Sequence, residues 1–226
     1  DITEDRKPTE TDILNVKIAL TQEALKKIAQ QDEETAGKVL TDLEKKELLR
    51  NILAMNDYYE EGAEFLQLED AVKQFDDFLK KMRSKSPSGE IVIIAQNSPF
   101  DVGVINTAYE RLGLTVPDDK LWDTKAVIHT YLDPILRMID KDQNADDEDL
   151  EIVNKLRRGN RFSSSLKDVA GVFDVDTKGW HNALKDTRMT MEMLFGIINY
   201  VKAKQDKYKI DVTSLSTFNV RKGDPH

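Results

Sequence analysis

The sequence has no cysteine and no long hydrophobic run, and these absences exclude several classes of protein. Without cysteine there can be no disulfide, no thiol catalysis and no cysteine-based zinc site. No apolar run approaches the roughly 18 residues of a membrane span, and no charged-then-apolar signal peptide is recognisable. We therefore expect no membrane partner, and the lack of cysteine fits a reducing, cytoplasmic compartment.

The remaining composition indicates a globular protein with a strongly solvated surface. The 226 residues are 39% hydrophobic and 33% charged, which excludes a collagen-like or disordered chain. A chain of this length buries a proper core, and we expect one domain over residues 1–226. The net charge of −9 argues against broad polyanion binding but leaves room for a local phosphate track.

Most of the chain has helical periodicity. The spacing of apolar residues predicts helices over residues 21–55, 68–82, 101–113, 122–138 (at least as far as Pro134), 165–173 and 182–202. Thr41 followed by Glu44 is typical of a capping box, and Gly113 is typical of a helix C-terminus. The acidic run at residues 143–149 is interpreted as a solvated hinge.

Strand signals are scarce. Residues 91–95, from Ile91 to Ala95, form a β-branched run that predicts a strand buried on both faces. Residues 15–18 and 211–215 are weaker candidates. An α/β fold needs several strands, so either the sheet is small or part of it lies outside this chain.

The first candidate functional residue follows the predicted strand. Asp101 stands at the start of a helix, where a carboxylate is also favoured simply by the helix dipole. However, the carboxyl end of a strand is where α/β sheets bind ligands. A carboxylate there could hold a hard cation such as Mg²⁺.

The second candidate pair is His181 and Asp186. Only three histidines occur, and His226 is terminal while His129 lies within a predicted helix. His181 is therefore the best general-base candidate, because its ordinary pKa lies near neutrality. Residues five apart do not share a helix face, so His181 should lie in the loop before the helix that carries Asp186. A structural role for a single histidine remains open.

Together these segments resemble the DEDDh group of 3′–5′ exonucleases, which includes polymerase proofreading subunits, ribonuclease T and oligoribonuclease. The second motif of that family is similar to the strand at residues 91–95 followed by Asn97, Phe100 and Asp101. Its third motif, His-x₄-Asp, is similar to His181 and Asp186. Its Asp-Thr pair is similar to Asp123-Thr124, and its Ser-Leu-x-x-Leu-Ala helix to residues 164–173. The resemblance covers residues 91–200.

The resemblance implies a fold, a reaction and roles for particular residues. The fold would be a ribonuclease H-like α/β fold, with a mixed sheet flanked by helices and a helical insert at about residues 21–82. Asp101 and Asp186 would bind a pair of Mg²⁺ or Mn²⁺ ions, and His181 would be the general base. Asn97 and Phe100 would contact the terminal nucleotide of a single-stranded DNA or RNA 3′ end. A polymerase or another replication protein would be a possible partner.

One part of the family pattern is not found. The first motif, Asp-x-Glu on an opening strand, has no convincing counterpart before Ile91. Asp1 and Glu4 have the wrong spacing, and Asp32 and Glu34 lie in helical, polar surroundings. The expectation is that the opening strands are missing from this chain.

Two further functional interpretations remain open. Without the first motif, the chain could be a non-catalytic binding module on an exonuclease-like scaffold, or a helical adaptor with coincidental motif matches. A basic stretch before the third motif could be a phosphate track or ordinary charged surface. Its members are Lys155, Arg157, Arg158, Arg161 and Lys167.

Overall fold

The computed structural model describes residues 14, 17–18, 41–55, 64–178 and 182–211. This part of the chain is mixed α/β and mostly helical, with three two-stranded sheets. The strands are β1 (Lys17–Ile18), β2 (Phe65–Leu66), β3 (Val92–Ala95), β4 (Lys120–Asp123), β5 (Arg157–Arg158) and β6 (Arg161–Phe162). The α-helices are α1 (Asp42–Met55), α2 (Leu68–Lys85), α3 (Ser98–Arg111), α4 (Thr124–Val127), α5 (Asp133–Ile139), α6 (Asp147–Leu156), α7 (Leu166–Val172) and α8 (Ala183–Tyr208).

The predicted helix boundaries are confirmed where local capping determines them. At the start of α1, the backbone N–H of Thr41 donates to the Glu44 carboxylate at 2.8 Å, as in a capping box. At the end of α3, Gly113 has a φ of 65°. The amides of Gly113 and Leu114 then bond back to the carbonyls of Glu110 and Tyr109, which is a Schellman motif. The predicted helix at residues 21–40 lies outside the described residues.

The long helix α8 organises the core. The side chains predicted to form its apolar face are all buried: Met189, Met193, Leu194, Ile197, Ile198 and Val201. Each contributes about 1.5–3 kcal/mol by leaving water. They form one cluster with apolar residues from residues 127–139, α6, β6 and α7. In the described ranges, no helix is long and apolar enough to cross a membrane.

Two predictions about local structure are wrong, those for Trp122 and for the burial of β3. Trp122 lies on strand β4 because residues 120–123 pair in parallel with β3, and the helix begins only at Thr124. The predicted helix beyond Trp122 is confirmed: a π-helical segment (Ile128–Leu132) precedes Pro134, which lies in the first turn of α5, where its missing N–H is tolerated. Strand β3 is not buried on both faces, since Val92 at its start is 44% exposed.

The acidic run at residues 143–149 is exposed over most of its length, but its end belongs to a helix and is not part of a hinge. Helix α6 begins at Asp147, and Asp149 is only 2% exposed. Its carboxylate accepts hydrogen bonds from the Tyr200 hydroxyl at 2.8 Å and from the Lys204 ammonium at 2.6 Å. Burial of Tyr200 and this bond raise the pKa of its phenol. Through these two hydrogen bonds, Asp149 connects α6 to α8.

Close packing between α7 and α8 generates the first prediction. A methyl group at Gly196 would lie 2.8 Å from Cβ and Cγ of Phe173, whereas one at Gly171 would meet nothing within 4 Å. We expect Gly196→Ala to lower the free energy of unfolding by about 1–3 kcal/mol, because the two helices must move apart. Gly171→Ala, the matched control within α7, should be neutral or stabilising by up to about 1 kcal/mol. Urea unfolding of both variants measures the difference; equal stabilities would contradict the close approach.

Candidate functional site

The candidate site lies where β3 and β4 end together. The two strands are parallel, and Ala95 at the end of β3 is in register with Asp123 at the end of β4. The residues that follow each strand are therefore neighbours at the carboxyl edge of the pair, where ligands bind in α/β sheets. Asn97, Phe100 and Asp101 follow β3, and Asp123 and Thr124 end the β4 side.

A single carboxylate oxygen ties these two strand ends together. Oδ1 of Asp123 accepts a hydrogen bond from the backbone N–H of Asn97 at 2.9 Å. The same atom accepts the N–H of Lys125 at 2.9 Å, and Asp123 is thereby the N-cap of α4. Asp123 is only 8% exposed, so both bonds are shielded from water.

Thr124 and Gln96 extend this connection to the loop before α7. Thr124 is fully buried, and its hydroxyl donates to the side-chain carbonyl of Gln96. The amide of Gln96 donates in turn to the backbone carbonyl of Ser164 at 2.8 Å. The chain between β3 and α3 is thus held from both sides.

Asn97 has an unusual backbone conformation. Its φ of 63° and ψ of 52° lie in the left-handed region, which asparagine adopts more readily than most residues. The turn redirects the chain so that α3 begins at Ser98, with Pro99 in its first turn. Phe100, two residues further, is 66% exposed and presents its ring to solvent.

Asp101 lies in the first turn of α3, and its surroundings shift the pKa of its carboxyl. Partial burial of the carboxyl raises its pKa, its own backbone N–H opposes that effect, and the negative charge of Asp123 adds to the increase. The residue as a whole is exposed, so solvent screens these effects and they are small. Asp101 and Asp123 are nonetheless near enough for their charges to interact.

Of the two other predicted site residues, the structure describes Asp186 but not His181. Asp186 lies in the first turn of α8, whose N-cap Asn182 accepts the backbone N–H of Lys185 at 3.2 Å, and α8 packs against β3. His181 lies outside the described residues. Within the part of the chain that is described, no three histidine or acidic side chains are grouped so that they could hold a metal ion. The convergence of Asp101 and Asp186 on one metal site stays a prediction.

The basic stretch is largely paired with acids of the same chain. Lys155 bonds to Glu151 at 2.7 Å, and Arg158 contacts Asp168 at 3.0 Å. Arg157 forms an ion pair with Asp140. These contacts favour the interpretation of this stretch as ordinary charged surface, because a phosphate would have to compete with each carboxylate.

Sequence reasoning missed the roles of Gln96 and Asp123. The resemblance identified the Asp123-Thr124 pair as part of the family pattern, but it implied no hydrogen-bond partner for either residue. The only local signal was an acid directly before a short helix, which is typical of an N-cap. The bond to Asn97 depends on the strand register, which no local pattern encodes.

Comparisons with known proteins give short matches to one kind of enzyme. The chain is 48% identical over 42 residues to the DNA polymerase III PolC-type of Listeria welshimeri, and 45% identical over 42 residues to that of Listeria monocytogenes. Each match covers 19% of this chain and only 3% of the polymerase. No family model and no solved structure matches. The chain thus shares a limited sequence region with DNA polymerases of this type.

The conformation of Asn97 generates the second prediction. A left-handed backbone conformation is unfavourable for alanine by about 1–2 kcal/mol, whereas glycine adopts it with little cost. We expect Asn97→Ala to lower the free energy of unfolding by about 1 kcal/mol and Asn97→Gly to leave it nearly unchanged. Urea unfolding of both variants tests this, and an alanine variant as stable as the glycine variant would argue against the left-handed turn.

The pKa of Asp101 generates the third prediction. A carboxyl whose pKa is raised by folding above its ordinary 3.8 stabilises the fold below that pH, and the contribution is lost as the pH rises through the folded value. As the pH rises from about 3 to 7, the free energy of unfolding of Asp101→Asn should therefore increase relative to that of the wild type. Asp168→Asn is the opposite control, because the Ser163 hydroxyl and other partners lower the pKa of Asp168. Unfolding curves across this pH range measure both; the same sign for the two variants would contradict the assignment.

Proposed function

We propose that this chain acts in 3′–5′ exonucleolytic hydrolysis of nucleic acid, assisted by divalent metal ions. The observation that carries the proposal is the placement of Asn97, Phe100 and Asp101 at the carboxyl end of β3, beside Asp123 and Thr124 at the end of β4. The resemblance to DEDDh exonucleases, which include polymerase proofreading subunits, agrees with the short matches to DNA polymerase III PolC-type. A ribonuclease H-like sheet and action beside a polymerase are part of this proposal.

Each residue has a proposed role that suits its chemistry. The exposed ring of Phe100 provides a surface for stacking the terminal base. The side chain of Asn97 provides hydrogen bonds to that nucleotide. Asp101 and Asp186 would contribute carboxylate oxygens to Mg²⁺ or Mn²⁺, and His181 would accept a proton from the attacking water.

The residues that the structure describes do not make a metal site by themselves. Mg²⁺ takes six oxygen ligands, and in nucleases two ions lie roughly 4 Å apart. The described ranges contain no group of three acidic or histidine side chains suited to a metal. The proposal therefore requires further ligands, such as the Asp-x-Glu pair of the family.

This shortage of ligands favours a second candidate function. The same edge could bind a nucleic-acid end without cutting it, using Phe100 and Asn97. Val104, one helical turn beyond Phe100, is 58% exposed and enlarges the apolar surface. A non-catalytic binding module of this kind needs no bound metal pair.

Cleavage of labelled oligonucleotides gives the fourth prediction, which applies to the chain together with the further metal ligands that the proposal requires. With Mg²⁺ or Mn²⁺, a single strand labelled at its 5′ end should shorten stepwise from its 3′ end. His181→Ala should lower the rate by about 10²- to 10⁴-fold, as expected for loss of a general base, while the circular dichroism spectrum stays unchanged. Asp101→Asn and Asp186→Asn should lower the rate at least as far.

Asp206→Asn is the matched control, because it makes the same exchange on α8 about 30 Å along the helix from Asp186. It should retain full activity. Binding of the oligonucleotide without shortening would support the binding module instead. If the three variants His181→Ala, Asp101→Asn and Asp186→Asn also behave as the wild type, the observed cleavage comes from another protein and the proposal is wrong.

A further inference from the structure

Asn97 is held in its left-handed turn mainly from outside its own segment. Its backbone N–H bonds to Oδ1 of Asp123, which is 26 residues away in sequence. Its side-chain carbonyl lies 3.4 Å from the ammonium of Lys125, two residues after Asp123. Both contacts come from the junction of β4 and α4.

The turn at Asn97 determines where helix α3, which carries the exposed Phe100, begins. Helix α3 starts at the next residue, and Asn97 accepts the N–H of Phe100 through its own carbonyl at 3.0 Å. Any rotation of this turn would swing Phe100 and Asp101 together, because both belong to the first turn of the helix. The turn therefore connects the β3–β4 strand pair to the candidate site.

We infer that Asp123 is a positioning residue, whose Oδ1 holds Asn97 in the left-handed turn and so sets the place of Phe100 and Asp101. Its importance for nucleotide handling rests on the proposed function. The positioning itself is a property of the folded chain and needs neither metal nor substrate.

The two hydrogen bonds make the inference testable because they share one acceptor atom. Asparagine has one side-chain carbonyl oxygen in the same place, so Asp123→Asn can accept both N–H groups without the charge. Asp123→Ala can accept neither. The pair of variants therefore separates the acceptor from the charge.

Amide hydrogen exchange of the metal-free full chain tests the inference directly. In the wild type the amides of Asn97 and Lys125 should both be protected. Asp123→Ala should accelerate their exchange about 10- to 100-fold, as expected for loss of a hydrogen bond to a charged group, and Asp123→Asn should restore most of the protection. Asp176→Ala is the matched control, since Asp176 accepts the N–H of Lys178 at 2.9 Å in a similar local turn. It should leave the Asn97 amide unchanged.

Each outcome decides the inference. Unchanged exchange at Asn97 in Asp123→Ala would overturn it, and so would equal acceleration in both Asp123 variants, because then the acceptor alone does not hold the turn. If Asp123→Ala fails to fold, retained protection of Asn97 in Asp123→Asn supports the inference, and lost protection contradicts it. In cleavage assays Asp123→Ala should lose activity that Asp123→Asn regains. A chain without nuclease activity would remove that last result but leave the exchange result standing.

Discussion

The parallel pairing of β3 with β4 is the constraint on which the candidate site depends. Parallel strands cannot be joined by a tight hairpin, so the chain must cross over the sheet, and α3 forms much of that connection. The register then brings both strand ends to one edge. This arrangement brings the carboxylate of residue 123 within hydrogen-bond distance of the backbone at residue 97. A shift of the register by one residue would turn Asp123 to the opposite face and release the turn.

Helix α8 connects this edge to the rest of the molecule. Its middle turns form much of the apolar core, its first turn carries Asp186, and the helix also packs against β3. Its last turns carry Tyr200 and Lys204, which hold the buried carboxylate of Asp149. One helix therefore positions a candidate site residue while its other end is fastened by a buried polar cluster, so the place of Asp186 follows from core packing.

Sequence reasoning predicted features that depend on neighbours along the chain and failed where distant partners decide. The apolar face of α8, the capping box at Thr41 and the end of α3 at Gly113 are all local signals, and the structure confirms them. Trp122 was misassigned because β4 runs directly into α4 without a loop. Asp149 was misassigned because acidic composition does not reveal a partner 51 residues away. At the site, the resemblance indicated Asn97, Phe100 and Asp101, but the role of Asp123 required the strand register.

Electrostatics connect the proposed metal to substrate binding as well as to hydrolysis. The chain carries a net charge of −9, and the edge that would receive a phosphate already holds the carboxylates of Asp101 and Asp123. Three cations of the basic stretch are engaged with acids of their own chain, so they offer little compensation. A divalent cation between the phosphate and these carboxylates would reduce the repulsion that a nucleic-acid end meets at this edge. In the proposed function, the metal would therefore assist in bringing the phosphodiester to Asp101 as well as in breaking the bond.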